Sequence, residues 1–387
     1  MRIRKILHRP VPISRYAPEI SAPPGLDTSI VAVVTDHRLD GSPIIGYGFA
    51  SIGRYAQDGL IEARFAPRLL RAKPADLLDR NGHAIDPLCA WHVMMAGEKP
   101  GGHGERSVAV GALDMALWDA AAKAKGLPLY RLLAERFLDR APSLPVPVYA
   151  SGGYLYPDND LGRLRSELER FRDLGFAAAK IKVGALDRGQ DARRIETALD
   201  VMGGGESLAI DAMNAYAPDE AHAAARRFEP YALRWFEDIC DPLDYRTHQE
   251  IAQSYRPPIS AGEALFSFAD ARNLLRYAGL RPGHDVLTFD PAHGYGIGEF
   301  SRILALLRRH GWSSEDVQPH GGHLYGLHLA AGLRLGGCEC NPHSFQPFGG
   351  FGDDTVVRHG RVLPPNYPGI GFESRGALMD LFRSLAA

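Results

Sequence analysis

The chain has 387 residues, 45% of them hydrophobic and 23% charged, with a formal net charge of −2; this is ample material for a large core, and it argues against nucleic acid as a general partner, because neutralising a phosphate backbone takes clustered Lys and Arg. No apolar run is long enough to span a bilayer, and the basic start MRIRKILHRP leads into no apolar segment of signal-peptide length. The four cysteines, Cys89, Cys240, Cys338 and Cys340, form neither a disulfide framework nor a CxxC pair, so a reduced cytoplasmic protein without structural zinc is expected.

Along the chain, two β-type runs at 29–36 (SIVAVVTD) and 44–50 (IIGYGFA) flank a turn-rich linker. Helical patterns follow over 57–72 and 107–125, the second stopped by Gly126 and Pro128. A hairpin followed by helices predicts a compact α+β unit. From about residue 145 short apolar runs alternate with helical patterns, at 146–150, 177–183, 207–211, 233–238, 258–262, 285–290, 316–320 and 336–340. Eight such βα units predict a (β/α)8 barrel with function at the C-terminal ends of its strands. A doubly wound sheet is the alternative, but no Gly-rich dinucleotide loop follows any strand.

The residues that end these runs carry the chemistry. The second run, AAAKIKV, holds Lys180 and Lys182 two apart, hence on one side of a strand. The third, fourth and fifth close on Asp211, Glu237 and Glu263, spaced 26 and again 26 residues apart. That period predicts three carboxylates at equal heights on neighbouring strands, facing two ammonium groups. Such a cluster does not stay buried uncompensated, and a hard divalent cation, Mg2+ first among them, resolves it with oxygen ligands only. The sixth run ends in Asp290, the seventh in His320, and the eighth carries Glu339. The stretch His320-Gly-Gly-His323 has the look of a metal motif, but the three-acid site leaves no need for a second ion.

This ordered set resembles the mandelate racemase group of the enolase superfamily: Lys-x-Lys on the second barrel strand, acids closing the next three, then Asp and His on the sixth and seventh. The resemblance runs over essentially the whole chain. Within the group, the stretches EKPGGHGERSVAVG (98–111), CDPLDY (240–245), FSFADARNLLRY (266–277), PHGGH (319–323) and PGIGFE (368–373) are most similar to the D-tartrate dehydratases. The resemblance implies a modified, enolase-like (β/α)8 TIM-type barrel over 142–343, with an α+β capping domain over 1–141 completed by 344–387. It also implies a Mg2+-dependent hydro-lyase in a cytoplasmic homo-oligomer, acting on a small carboxylate, a tartrate-like hydroxy-dicarboxylic or sugar acid, with no nucleic-acid or membrane partner.

Roles follow from the resemblance and from the chemistry it requires. A proton next to a carboxylate is scarcely acidic, because its removal loads a second negative charge onto that group, and a cation on the carboxylate stabilises the product. Lys182 is expected as the base, with Lys180 lowering its pKa and touching the substrate carboxylate. His320 is expected as the acid, held by Asp290. Asp211, Glu237 and Glu263 would bind the metal. Lys99, from the capping side, Glu339, as a protonated hydrogen-bond donor, and Asn214 would contact substrate. Dehydration is the first reading. Racemisation or epimerisation of a 2-hydroxy acid by the same two residues is the alternative, and a non-catalytic barrel scaffold is the remote one.

Two features depart from the pattern. The family's Asp-x-Asn becomes DAMNAY here, so Met213 stands where the amide is expected, and Asn214 can replace it only if the strand has already ended or bulges. The capping loops 13–24 and 49–55 are also less polar than expected around a tartrate, with Ala50 and Ile52 in place of amides.

Overall fold

A computed structural model of the protein describes residues 1–17, 26–50 and 57–385. Most of both capping loops, Ile52 included, therefore lies outside the described residues.

The N-terminal sheet is antiparallel, in the order β1 (Ile3–Ile13), β2 (Leu26–Leu39), β3 (Ser42–Phe49). The hairpin expected at 29–50 is longer than the two apolar runs: Leu39 pairs with Ser42, and Asp40 and Gly41 both turn with positive φ. An Asp-Gly pair suits a two-residue turn of this hand. Sequence reading missed β1, whose Pro10 and Pro12 argue against a strand; it lies at the sheet edge, where a missing N–H is tolerated.

The helix Glu105–Ala124 is buried at every position from Ser107 to Ala122, as befits a helix wedged between two layers. It lies directly on β3 because Gly46 and Gly48 have no side chains; a Cβ at either would collide with a helix carbonyl, Ala116 or Ala112. Its buried Asp119 joins three elements. One carboxylate oxygen accepts the Tyr47 N–H of β3 at 2.9 Å, the other accepts the Ile370 N–H of the C-terminal segment at 2.7 Å, and Lys123 pairs with it at 2.7 Å.

The second sheet is parallel and curls. Its strands are β4 (Val146–Ser151), β5 (Ala179–Lys182), β6 (Leu208–Asp211), β7 (Trp235–Glu237), β8 (Ile259–Ala261), β9 (Val286–Leu287) and β10 (Cys338–Cys340), in the order β10-β4-β5-β6-β7-β8-β9. All eight expected runs fall on this ring, but the seventh is no strand. Val317 makes a single bridge to Leu287, and its carbonyl accepts the Gly336 N–H at 2.9 Å. Pro319 has no N–H with which to extend that ladder. Helices such as Asp160–Asp173, Arg188–Met202 and Ile297–Arg309 connect the strands.

After β10 the chain runs back toward the N-terminal sheet. Phe345 N–H donates to Ser14 O at 2.9 Å, and Phe382 stacks on Tyr47 with ring centroids 4.8 Å apart. The segment also touches the barrel, where β11 (Arg361–Val362) pairs antiparallel with β4. Among the described residues no helix is long and apolar enough to cross a membrane.

Removing the Asp119 carboxylate leaves two backbone N–H groups without their buried acceptor and leaves Lys123 with only Glu373 and the Ile45 carbonyl. Asp119→Ala should lose about 3–5 kcal/mol of stability, measured by urea unfolding; an unchanged midpoint would show that these three bonds are dispensable.

Candidate active site

The parallel register builds the floor of the site. Lys182 lies opposite Asp211, and Asp211 opposite Glu237, so these three side chains share one layer at the strand ends. Glu263 does not belong to that layer. Glu237 pairs with Ser260, and Glu263 comes three residues later, beyond the end of β8. The equal 26-residue spacing is therefore not equal height. Gly262, at φ +136°, turns the chain there in a conformation that a side chain would strain. The result still gathers the three acids: carboxylate oxygens of Asp211, Glu237 and Glu263 lie within 4.8 Å of one another.

Lys180 is fully buried beneath them. Its ammonium contacts Glu237, lies 3.2 Å from Glu339 and 3.7 Å from Asp211, and does not line the cavity. Lys182 contacts Asp211 and does reach the cavity. Burial alone would lower both lysine pKa values, but the adjoining carboxylates, Glu237 for Lys180 and Asp211 for Lys182, raise them above the usual lysine range. The expectation that Lys180 depresses Lys182 is thus outweighed here, because each lysine serves as counter-ion to an acid. Glu237, Asp211's neighbour, is pushed up to about 7 by burial and by the carboxylates around it, despite Lys180.

Across the mouth, His320 Nδ1 lies 3.0 Å from Asp290 Oδ2, and its Nε2 lies 3.4 Å from Glu263 Oε2. Burial opposes charging this imidazole, yet Glu263 and Asp290 raise its pKa to about 10, so it carries a proton at neutral pH. Asp290 is fixed in turn by the Ala292 N–H at 2.7 Å. His293 stacks on His320, with ring centroids 5.2 Å apart. His323 points elsewhere: its Nδ1 accepts the Gly326 N–H at 3.1 Å and caps the helix Leu324–Leu333.

Lys182, Glu263, His320 and Glu339 all line one cavity of about 220 Å³, with Arg15, Tyr154, Met213, His293 and Asn341 among the other walls. Two expected substrate contacts are not brought there. Lys99 is exposed on the loop after the helix Pro87–Met95, and the Asn214 amide is directed to Asp238 at 3.4 Å. The strand has indeed ended at Asp211, since Met213 and Asn214 both have positive φ, and it is Met213 that reaches the mouth. Glu339 lines the cavity as an ion and not as the protonated donor expected. Burial would raise its pKa, but Lys180, His320 and Lys182 bring it well below the usual range, and it accepts the Gly321 N–H at 2.9 Å.

Sequence reading missed Asp238, Arg15, Tyr154 and His293. On a regular strand Asp238 would face away from Glu237, but β7 ends at Glu237 and Asp238 has φ +46°. It is buried, and desolvation and the Glu263 charge push its pKa well above the ordinary value. The other three come from elements remote in sequence and had no local signal.

The donor set fits a hard divalent cation. It offers carboxylate oxygens only, and the buried Glu263 Oε2 accepts no hydrogen bond. The group Asp290, His293 and His320 also lies within 4.8 Å, but two of its members are engaged with each other.

Residues 163–377 match the family described as enolase C-terminal domain-like, and residues 29–134 match the mandelate racemase / muconate lactonizing enzyme N-terminal domain. The L-talarate/galactarate dehydratase of Salmonella typhimurium is 29% identical over 298 residues, 77% of this chain and 70% of that protein. The arabinonate dehydratase of Saccharolobus solfataricus is 26% identical over 286 residues, 72% of this chain and 74% of that one. The crystal structure of L-talarate dehydratase from a Polaromonas species, complexed with Mg and L-glucarate, is similar with a TM-score of 0.73 at 26% identity, covering 96% of this chain and 94% of that one.

A cation held by Glu237 would compete with protons for it, so divalent-cation affinity should rise with pH until about 7 and level off above it. Trp235 Nε1 donates to Glu237 Oε2 at 2.7 Å, so tryptophan fluorescence during Mg2+ titration at several pH values reads this directly. An affinity independent of pH between 6 and 8 would contradict the assignment.

Proposed function

This chain belongs to the mandelate racemase / muconate lactonizing enzyme family of enolase-like proteins, and from that premise we propose that it is a Mg2+-dependent hydro-lyase, a dehydratase of a hydroxy-dicarboxylic or sugar acid, tartrate-like in chemistry. The observation that carries the proposal is one cavity lined by Lys182 from one side and by a protonated, Asp290-held His320 from another, over three clustered acids. Residues 142–343 are taken as the catalytic unit, and 1–141 with 344–387 as its cap.

Asp211, Glu237 and Glu263 would hold the metal. Bound there, Mg2+ would supply the positive charge that stabilises a doubly charged substrate carboxylate and would draw Asp211 away from its role as counter-ion to Lys182. Lys182, as the free amine, takes the proton from the α-carbon. His320 gives its proton to the β-hydroxyl, which departs as water as the Cα–Cβ double bond forms. The resulting enol becomes the 2-keto acid as Cβ takes up a proton and the enol hydroxyl gives one up to form the C=O. Asp290 keeps the imidazole oriented with its proton toward the cavity. The relatives named above, dehydratases of sugar acids, support this reaction class.

The direct test incubates the protein and Mg2+ with tartrates and sugar acids and follows keto-acid formation. Asp211→Asn, Glu237→Gln or Glu263→Gln should abolish turnover, and chelation should do so reversibly; full activity in excess chelator would refute the metal assignment.

The acid–base pair is tested in deuterium oxide. Lys182→Ala should lose both product and exchange of the α-proton, whereas His320→Asn should lose product by roughly 10²–10⁴-fold while Lys182 still exchanges that proton, if elimination is stepwise. Racemisation by the same pair would instead give no keto acid, and His320→Asn would leave exchange in one enantiomer only. Native keto-acid formation by His320→Asn would exclude His320 as the acid.

A further inference from the structure

Besides His293, three basic side chains line the cavity among the described residues, and two of them are already committed. Lys182 contacts Asp211, and His320 lies beside Asp290 and Glu263. The third is Arg15, half-buried at the cavity edge, and among the described residues no carboxylate forms an ion pair with it. An arginine at the rim of an acid-rich site, with no ion-pair partner among the described residues, is poised for an anion that is not part of the protein.

Arg15 is also held in place. On one side of it, Ser14 O accepts the Phe345 N–H at 2.9 Å; on the other, the Tyr16 hydroxyl donates to Leu155 O at 2.6 Å. Its guanidinium lies over the Tyr154 ring, 5.6 Å from the centroid, and the Lys182 ammonium is 5.3 Å from the same centroid. The two cations are therefore at most about 11 Å apart by those two ring distances. An acid whose α-carbon is served by Lys182 extends its far end by about 1.3 Å per carbon–carbon bond, so in a four- to six-carbon chain that end falls within reach of an arginine.

We propose that Arg15 binds the distal carboxylate of the substrate and makes this site selective for dicarboxylic over monocarboxylic hydroxy acids. The inference rests on the hydroxy-acid reading of the cavity and divides its relatives, since talarate and galactarate carry two carboxylates and arabinonate one. Arginine suits the role, because its planar fork takes a carboxylate through two parallel N–H bonds, whereas a terminal hydroxymethyl offers no such partner.

The test compares matched pairs that differ only at the far end: galactarate with galactonate, and tartrate with threonate. The native protein with Mg2+ should prefer the diacid of at least one pair. Arg15→Gln should lower kcat/KM for that diacid by roughly 10- to 150-fold, the worth of a charge-assisted hydrogen bond, chiefly through KM. Its value for the monoacid should stay within about threefold, and Arg15→Lys should restore part of the loss. A merely structural role would depress both acids alike, and that outcome, or a native preference for the monoacids, overturns the proposal. Calorimetric binding of the same four acids with Mg2+ separates the two readings. If nothing is dehydrated, diacid-selective binding that Arg15→Gln removes upholds the assignment while the dehydratase reading falls; equal binding of both acids, or none, sinks the assignment itself.

Discussion

Charge buried without a partner is among the most expensive things a protein can contain, and the interior of this barrel mouth is arranged around that cost. Lys180 has no exposed surface and neither does Glu237; Asp211, Glu339 and Asp290 have almost none. Each persists because another charge adjoins it: Lys180 among Glu237, Glu339 and Asp211, Lys182 on Asp211, His320 on Asp290 and Glu263. The balance is still short of positive charge. That shortfall is visible where Glu237 is driven up to about 7 and Asp238 is pushed well above the usual carboxyl range by desolvation and the charges near it. A site in this condition suits a cation, because the fold has brought its acids closer than its own lysines can neutralise.

The same constraint explains why the cap matters. A charged floor at the end of a short-stranded barrel needs cover, and the cover here is keyed to the barrel by directional bonds as well as apolar packing. Asp119 ties the buried helix to β3 and to the returning C-terminal segment, while Ser14 and Tyr16 fasten the end of β1 to Phe345 and Leu155. Through these ties the N-terminal segment, which contributes nothing to the barrel sheet, supplies the Arg15 wall of the cavity.

Much of the site was legible because barrel strands repeat and the acids close them in order. Lys182, Asp211 and Glu237 share a layer, as alternation and parallel pairing require. The reading failed where it treated spacing as geometry. Glu263 stands at the same interval as Glu237, yet lies past the end of its strand and is returned by a turn at Gly262. Asp238 and Asn214 broke the alternation in the same way, because both follow strands that stop at the preceding acid or soon after it. Lys99, read from a resemblance, lies exposed outside the cavity lining.

What the sequence by itself determined is whatever depends on local periodicity: seven of the eight expected barrel strands, the order of acids and lysines along them, and a helix following the N-terminal hairpin. These follow from side-chain alternation and apolar spacing, which act over a few residues. Only the tertiary structure decided which charges neutralise which, how far each acid sits from its neighbours, and that Arg15, Tyr154 and His293 share walls with Lys182. Those facts depend on contacts between segments from about thirty to more than a hundred residues apart, and on the low-dielectric interior that such contacts create, where a shift of a few ångströms changes whether a carboxyl is an ion, an acid or a ligand.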